Sequence, residues 1–137
     1  MSILRSRCWI SQPFATPGLR SPQGIEFTAL WDTGASNSLV SKAVVEECSL
    51  RRVGFDLVTG IGGTFRSPAY LANLALPGGI RIRDLRMTQG AVANADILIG
   101  MDVIGRGDFA VSNFEGVTKF SFRVPSLEHI EFEDSRT

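Results

Sequence analysis

Asp32 is a carboxylate that follows directly on a mainly apolar stretch of the chain, Ile25 to Trp31. This stretch predicts a buried strand, and the Thr33-Gly34 pair that comes after Asp32 predicts a tight turn. An isolated buried charge is energetically costly, so ordinary core strands avoid an unpaired acid at such a place. A strand that ends by directing an acid into a turn suits general acid/base chemistry.

One carboxyl group does not suffice for the hydrolysis of an amide bond. The reaction needs a carboxylate that activates water and a carboxylic acid that protonates the carbonyl oxygen, and two close carboxyls sharing one proton supply both. The sequence contains the triplet Asp-Thr-Gly only once, at residues 32–34. The second acid must therefore come from a second copy of the chain across a two-fold axis.

Other catalytic arrangements find little support in the sequence. The single histidine, His129, stands beside Glu128 near the end of the chain, and there is no Gly-x-Ser-x-Gly motif to present a nucleophile. Two cysteines, Cys8 and Cys48, and one histidine without close spacing do not form a zinc site. We therefore expect neither a metal ion nor a cofactor.

The composition is that of a folded domain with balanced charge. The chain has 137 residues, 44% of them hydrophobic, which is enough to build one core without metals or disulfides. Lys plus Arg number 14, as do Asp plus Glu, so there is no basic excess for binding nucleic acid. The two widely spaced cysteines are expected to be free thiols. The sequence has neither a membrane-spanning stretch nor the apolar core of a signal peptide, so we expect a cytoplasmic protein.

Short apolar stretches separated by glycine and proline predict many strands and little helix. Ser41 is expected to cap a helix over residues 42–48, and Asp102 to cap a helical turn over residues 103–106. In the acidic tail, residues 126–137, Ile130 and Phe132 could form an edge strand, within one chain or between chains. The predicted strands cover residues 1–10 (in part, as an edge strand), 25–31, 53–58, 64–76, 80–86, 97–99, 109–111 and 117–124, with a loop over 11–24. This pattern predicts an all-β barrel or sandwich.

A glycine-rich sequence lies between the strands predicted at residues 53–58 and 64–76. These two strands joined by a short loop predict a β-hairpin whose tip bears one exposed isoleucine. It is not a phosphate-binding loop, because no Lys-Ser or Lys-Thr follows it and no helix begins there. The tip consists of Gly60, Ile61, Gly62 and Gly63.

Three segments together resemble the retropepsins, the single-domain aspartic proteases of retroviral type with cellular and bacterial relatives. The first is Leu30-Trp31-Asp32-Thr33-Gly34-Ala35-Ser36, the second is the Gly60–Gly63 tip, and the third is Ile97-Leu98-Ile99-Gly100. The resemblance covers about residues 25–124. It implies a small closed all-β barrel with a hairpin flap and one or two short helices, preceded by an N-terminal strand and loop, 1–24, and followed by the acidic tail, 125–137.

The resemblance also implies a function and a role for each matching residue. The expected protein is a homodimeric aspartic endopeptidase that hydrolyses peptide bonds, with one Asp32 carboxyl from each copy. A non-catalytic peptide-binding or dimerisation module of the same fold is the alternative. The implied site consists of the catalytic Asp32, the turn residues Thr33, Gly34 and Ala35, and the flap residues Gly60, Ile61, Gly62 and Gly63, which would close over the substrate.

The sequence departs from the retroviral pattern at two positions. Retroviral members usually have an aspartate at the position of Ser36 and an arginine at the position of Met101, and the two are expected to form an ion pair. That ion pair cannot form here. The stretch Leu39–Cys48, with its predicted helix, resembles the cellular and bacterial branch instead.

Overall fold

The structure, a computed structural model, describes residues 3–13, 24–60 and 62–132. The predicted all-β architecture is confirmed, and two short helices accompany the strands of the described residues. Most of the predicted loop 11–24, the tip residue Ile61 and the last five residues lie outside the described residues. The strands are β1 (Arg5–Ser11), β2 (Ile25–Trp31), β3 (Leu39–Val40), β4 (Arg52–Gly60), β5 (Gly63–Leu76), β6 (Ile80–Gln89), β7 (Ile97–Ile99), β8 (Asp108–Ser112) and β9 (Lys119–Arg123).

Six strands close into a barrel in the order β1-β2-β7-β3-β6-β5. Closure depends on β1, which pairs antiparallel with β2 from Arg5 to Ile10 and with β5 at its end, Trp9 opposite Ala75. The prediction that β1 is an edge strand is therefore wrong. A barrel removes its edges by pairing the first strand with the last, and that pairing leaves no local pattern in the sequence.

The core fills the barrel, and the strands that line it alternate between buried and exposed residues. In β2, Phe27, Ala29 and Trp31 are buried, whereas Glu26 and Thr28 are exposed. The strand predicted as buried is thus buried on one face only, because its other face points to solvent. The largest fully buried core side chains include Ile10, Val40, Val44, Leu74, Met87, Ile97, Ile99 and Val103.

Two short helices pack against the barrel. Helix α1 (Lys42–Glu47) begins as predicted, with the Ser41 side chain accepting a hydrogen bond from the Val44 backbone N–H. Helix α2 (Met101–Ile104) starts earlier than expected, with Gly100 at its N-cap. The prediction that Asp102 is the N-cap is wrong, since Asp102 lies within the first turn of α2.

The hairpin β4–β5 extends beyond the barrel, because β4 pairs only with β5 among the described strands. Its root is attached to β6 by Asp56, whose carboxylate accepts hydrogen bonds from the Thr88 hydroxyl (2.7 Å) and the Arg86 guanidinium (3.0 Å). These donors, Thr88 first, lower the pKa of Asp56 below its ordinary value. These hydrogen bonds fix the position at which the hairpin β4–β5 leaves the barrel.

A second hairpin, β8–β9, forms its own two-stranded sheet. It is attached to the barrel through aromatic rings: Phe109, Phe120 and Phe122 lie with their centroids 5.2–5.6 Å from that of Trp31. Trp31 also donates a hydrogen bond from Nε1 to the Ser6 hydroxyl. The residue immediately before Asp32 therefore joins the barrel to the C-terminal hairpin.

Asp108 fixes the chain that follows β9. Its carboxylate accepts hydrogen bonds from the Leu127 backbone N–H (2.8 Å), the Ser126 hydroxyl and Arg123 Nε (2.8 Å). Beyond this anchor no strand is assigned up to residue 132, so the edge strand predicted at Ile130 and Phe132 is absent from the described part of a single chain.

Candidate active site

The backbone N–H and the backbone carbonyl of Asp32 both form hydrogen bonds. Its backbone N–H donates to the Ile99 carbonyl (2.9 Å), and its carbonyl accepts from the Ala35 N–H (3.2 Å). Its carboxylate oxygen Oδ1 accepts from the Gly34 N–H (2.8 Å). Asp32 is half-buried, whereas Thr33 and Gly34 are exposed. The carboxyl group thus has a fixed orientation and remains accessible at the surface of one chain.

The strand order places this turn beside the start of α2. Strands β2 and β7 are parallel, with Trp31 opposite Ile99, so both strands end at the same edge of the barrel. The chain after β7 then bonds to the turn, from the Met101 N–H to the Ala35 carbonyl (2.8 Å). The segment Ile97–Gly100, the third of the segments that carry the family resemblance, therefore lies beside the turn.

Gly100 is required where these two segments meet. A Cβ atom at this position would lie 2.8 Å from the Ala35 carbonyl oxygen and 2.9 Å from that of Asn37. Such distances are too short for any side chain, because both neighbours are backbone atoms. The absence of a side chain therefore allows the close packing that fixes the turn.

A side-chain pair that the sequence analysis did not identify lies beneath the turn. Ser38 is fully buried, and it donates hydrogen bonds to Asp102 from its backbone N–H (2.9 Å) and its hydroxyl (2.7 Å). The Ser38 hydroxyl also accepts from the Gly100 N–H (3.1 Å). We call this arrangement of Ser38, Gly100 and Asp102 the brace. No local pattern could have found it, because its two side chains are separated by 64 positions.

The brace stands close to the place of the missing retroviral ion pair. Ser36 and Met101, which occupy those two positions, are linked to the neighbouring residues by backbone hydrogen bonds, such as that from the Asp102 N–H to the Ser36 carbonyl (3.2 Å). A serine and an aspartate thus connect the turn to α2, close to the two positions that lack the charged side chains usual in retroviral members.

The glycine-rich hairpin tip is a separate element from the turn. Gly60 pairs with Gly63, next to the pair Thr59–Thr64, whose hydroxyls are 3.3 Å apart. Within the described residues, no hydrogen bond joins Gly60, Gly62 or Gly63 to residues 32–36. Ile61, the predicted tip residue, lies outside the described residues.

Residues set aside for other chemistries take no part in this site. His129 is exposed on the C-terminal segment, and Cys8 and Cys48 are free and buried. Burial raises the pKa of the Cys8 thiol to about 12 and that of Cys48 to about 11. In the part of the chain that is described, no three His, Cys, Asp or Glu side chains come together to hold a metal ion.

The comparisons with solved structures define the class of protein. The fold matches the simian foamy virus protease (18% identity, TM-score 0.52, covering 74% of this chain and 92% of that one). It also matches a retropepsin-like aspartic protease from Rickettsia conorii (12%, 0.52, 80% and 76%) and the retroviral protease-like domain of Ddi1 from Leishmania major (18%, 0.55, 93% and 96%). This molecule therefore has the retropepsin-like aspartic protease fold.

The sequence match gives the family. Residues 22–106 match the family described as gag-polyprotein putative aspartyl protease, which is more than half of the chain. The chain belongs to this family. No curated protein sequence matches it. None of the helices in the described residues is long and apolar enough to cross a membrane.

Proposed function

We propose that the protein is an aspartic endopeptidase whose active site forms between two copies of the chain. The observation that carries the proposal is the geometry of Asp32, a half-buried acid at the end of a barrel strand on a turn fixed by hydrogen bonds. Family membership supports the same reading. Because the sequence has one Asp-Thr-Gly triplet, each chain supplies one carboxyl group.

In the proposed dimer, the two Asp32 carboxyls hold a water molecule between them and share one proton, because like charges about 3 Å apart cannot both be ionised. The ionised carboxyl takes a proton from the water as it attacks the amide carbon. The protonated carboxyl donates to the carbonyl oxygen. Thr33 hydrogen-bonds across the two-fold axis, and the Gly34 carbonyl is available to the substrate backbone. These roles correspond to those of the aspartic proteases that the chain resembles.

The hairpin β4–β5 serves, in this proposal, as the flap that closes over an extended peptide. Its glycine-rich tip, residues 60–63, allows a backbone approach without side-chain interference. Strand-like hydrogen bonds would hold the peptide, and closure would exclude water from the scissile bond. The apolar residues Val58 and Phe65, which are opposite each other in the hairpin, favour substrates with apolar side chains.

Two features of the single chain support dimer formation. Thr33 and Gly34 are exposed next to the half-buried Asp32, so the turn is open to a second copy. The C-terminal hairpin β8–β9 pairs with no other strand of the described residues, and Val111 on it is exposed. Pairing with a second copy would cover the open edges of this hairpin. The free cysteines agree with a cytoplasmic location, which we also propose.

The decisive experiment measures how the wild-type protein and Asp32→Asn cleave a library of peptides derived from a proteome. We expect all cleavage to disappear, while the circular dichroism spectrum and the sedimentation coefficient stay unchanged. Asp84→Asn, which alters an exposed acid on β6, is the matched control and should cleave like the wild type. Equal cleavage by Asp32→Asn and wild type would refute the catalytic role.

A second measurement separates the enzyme from a non-catalytic peptide-binding module. A statine-type compound mimics the tetrahedral intermediate, so an assembled pair of carboxyls should bind it at least about a hundredfold more tightly than the matching plain peptide. A binding module would bind both equally. Specific activity should also fall on dilution, because a monomer holds half of the catalytic pair.

A further inference from the structure

Strand β4 presents an unpaired edge and an exposed apolar face. Among the described strands it pairs with β5 alone, so the backbone N–H and C=O groups on its other side have no strand partner. Val53, Phe55 and Leu57 on this strand are exposed, Leu57 to 75%. Natural proteins usually protect such edges with charged residues, proline or a covering element. A register shift between Arg52 and Gly54 interrupts this edge near its start, and the exposed apolar residues Phe55 and Leu57 beyond it form a candidate binding surface.

Two arginines surround this face. The guanidinium of Arg52 lies 4.7 Å from the centre of the Phe55 ring, and that of Arg66 lies 4.2 Å from it. Neither arginine forms an ion pair within the described residues, in contrast to Arg86, which is paired with Asp56 at 3.0 Å. The surface, which we call the β4 face, therefore offers apolar side chains together with two unneutralised positive charges.

The C-terminal segment, residues 126–132, has the complementary character. Leu127, Ile130 and Phe132 are exposed, Phe132 to 94%, and acidic Glu128 and Glu131 stand among them. No strand is assigned to this segment, and the one ion pair of Glu128, with Arg123, is an exposed contact at 3.3 Å that contributes little. Within the described residues, an acidic apolar segment and a basic apolar strand edge thus both lack a strand partner.

We propose that the C-terminal segment of a second copy adds to the edge of β4 as an extra strand. In an extended segment, Glu128, Ile130 and Phe132 share one face, because side chains alternate with period two. This matches the spacing of Phe55 and Leu57, while Val53 lies at the register shift between Arg52 and Gly54. Strand addition supplies backbone hydrogen bonds, and the matching side chains supply specificity.

The charges agree with this arrangement in either strand direction. With Ile130 beside Phe55, a parallel strand places Glu128 near Val53 and its neighbour Arg52. An antiparallel strand places Glu128 near Leu57, which is directly opposite Arg66 in the hairpin. The positive charges at the two ends of the β4 face therefore attract Glu128, the acid on the matching face of the segment, in both cases. The inference does not depend on catalysis, since it uses no residue of the active-site turn.

The first test measures binding of a fluorescent peptide of residues 124–132 to the 137-residue protein. The protein carries Asp32→Asn so that the peptide is not cleaved. We expect saturable binding that weakens with salt. We expect it to be roughly fivefold to tenfold weaker in Arg52→Glu/Arg66→Glu. The matched control is Arg81→Glu/Arg83→Glu, which reverses two exposed arginines on β6 and should bind like the parent. A Glu128→Lys peptide should prefer the Arg52→Glu/Arg66→Glu protein.

Nuclear magnetic resonance then locates the peptide. Amide shifts should occur along β4, at Val53, Phe55 and Leu57. Shifts at residues 32–36 instead would mean that the peptide enters the proposed catalytic cleft as a substrate, which would overturn the inference while supporting the proposed function. Absence of saturable binding, or equal loss in both charge-reversed proteins, would also overturn it.

The second test asks whether the occupant is another copy of the chain. Sedimentation velocity of the wild type should show species larger than the proposed active-site dimer as concentration rises. These species should be lost both in Arg52→Glu/Arg66→Glu and in Ile130→Ser/Phe132→Ser. Mixing Arg52→Glu/Arg66→Glu with Glu128→Lys should restore them. If the larger species persist in both double variants, copies of the chain associate through another surface and the inference fails.

Discussion

Truncation of Asp102 to alanine removes the acceptor on which the brace depends. In the native chain this carboxylate accepts the backbone N–H and the hydroxyl of Ser38, at 2.9 and 2.7 Å, and the Val103 N–H at 3.0 Å. Ser38 is fully buried, so its donors cannot turn to solvent after the truncation. We therefore expect Asp102→Ala to destabilise the protein, although Asp102 is a polar residue outside the hydrophobic core.

The size of the effect follows from the groups left without partners. A buried donor that loses its acceptor costs about 1–3 kcal/mol, and the serine hydroxyl keeps part of its bonding because it still accepts from Gly100. Asp102→Ala should therefore lower the free energy of unfolding by about 2–4 kcal/mol. Asp102→Asn should lower it by about half as much, because the amide keeps one acceptor oxygen but turns a donor toward the Ser38 N–H.

Urea unfolding monitored by tryptophan fluorescence measures this loss, because the buried Trp31 reports on the barrel. The midpoint should fall while the slope stays constant, since the surface exposed on unfolding is unchanged. Glu47→Ala, which truncates an exposed acid of α1, is the matched control and should change stability by no more than about 0.5 kcal/mol.

A double-mutant cycle decides whether the two side chains act together. Ser38→Ala and Asp102→Ala should be strongly non-additive, because each removes the same contact. If Asp102→Ala were no more destabilising than Glu47→Ala, or if the two brace substitutions were additive, the hydrogen bonds beneath the turn would not stabilise it and the reasoning would be wrong.

Three further outcomes test other parts of the structure. Gly100→Ala should cost about 1–3 kcal/mol in urea unfolding, because its Cβ meets backbone oxygen at 2.8 Å, whereas Gly62→Ala, with no atom within 4 Å, should not. The native thiols Cys8 and Cys48 should not react with a disulfide reagent at pH 8 until urea unfolds the chain, because burial raises their pKa values to about 12 and about 11. Asp108 accepts hydrogen bonds from the Leu127 N–H, the Ser126 hydroxyl and Arg123. These donors hold the pKa of its carboxyl well below its usual range. Because its pKa is lowered, the ionised Asp108 carboxylate stabilises the anchored segment at pH values above about 3.9, the pKa of an aspartate in the unfolded chain. This stabilisation is lost as the pH falls below that value. The protection factor of the segment's backbone amides should thus fall below about pH 4 in the wild type, and in Asp108→Asn it should already be low at neutral pH; equal protection in both proteins would contradict this role.

Local chemistry determined those features of the chain that rest on neighbouring residues. The β2 strand and the turn after it follow from an apolar stretch that ends in Asp32-Thr33-Gly34, and their bounds agree with the structure. Helix α1 follows from Ser41, whose side chain accepts a hydrogen bond from the backbone N–H of Val44, three positions along. The hairpin β4–β5 follows from glycines between two strand-forming stretches. In each case the interactions that decide the conformation lie within a few residues of one another.

The tertiary structure alone decided what depends on distant segments meeting. The brace joins Ser38 to Asp102, and the local pattern assigned Asp102 to a helix cap because a cap was the nearest partner in sequence. Strand β1 closes the barrel and is not an edge strand, because Trp9 pairs with Ala75 of β5, a residue far away in the sequence, when the sheet closes on itself. Sequence thus placed the acid at the end of its strand, while the packing of the complete barrel determined what holds that acid in position, because burial and hydrogen-bond partners are properties of the assembled core and not of any one stretch.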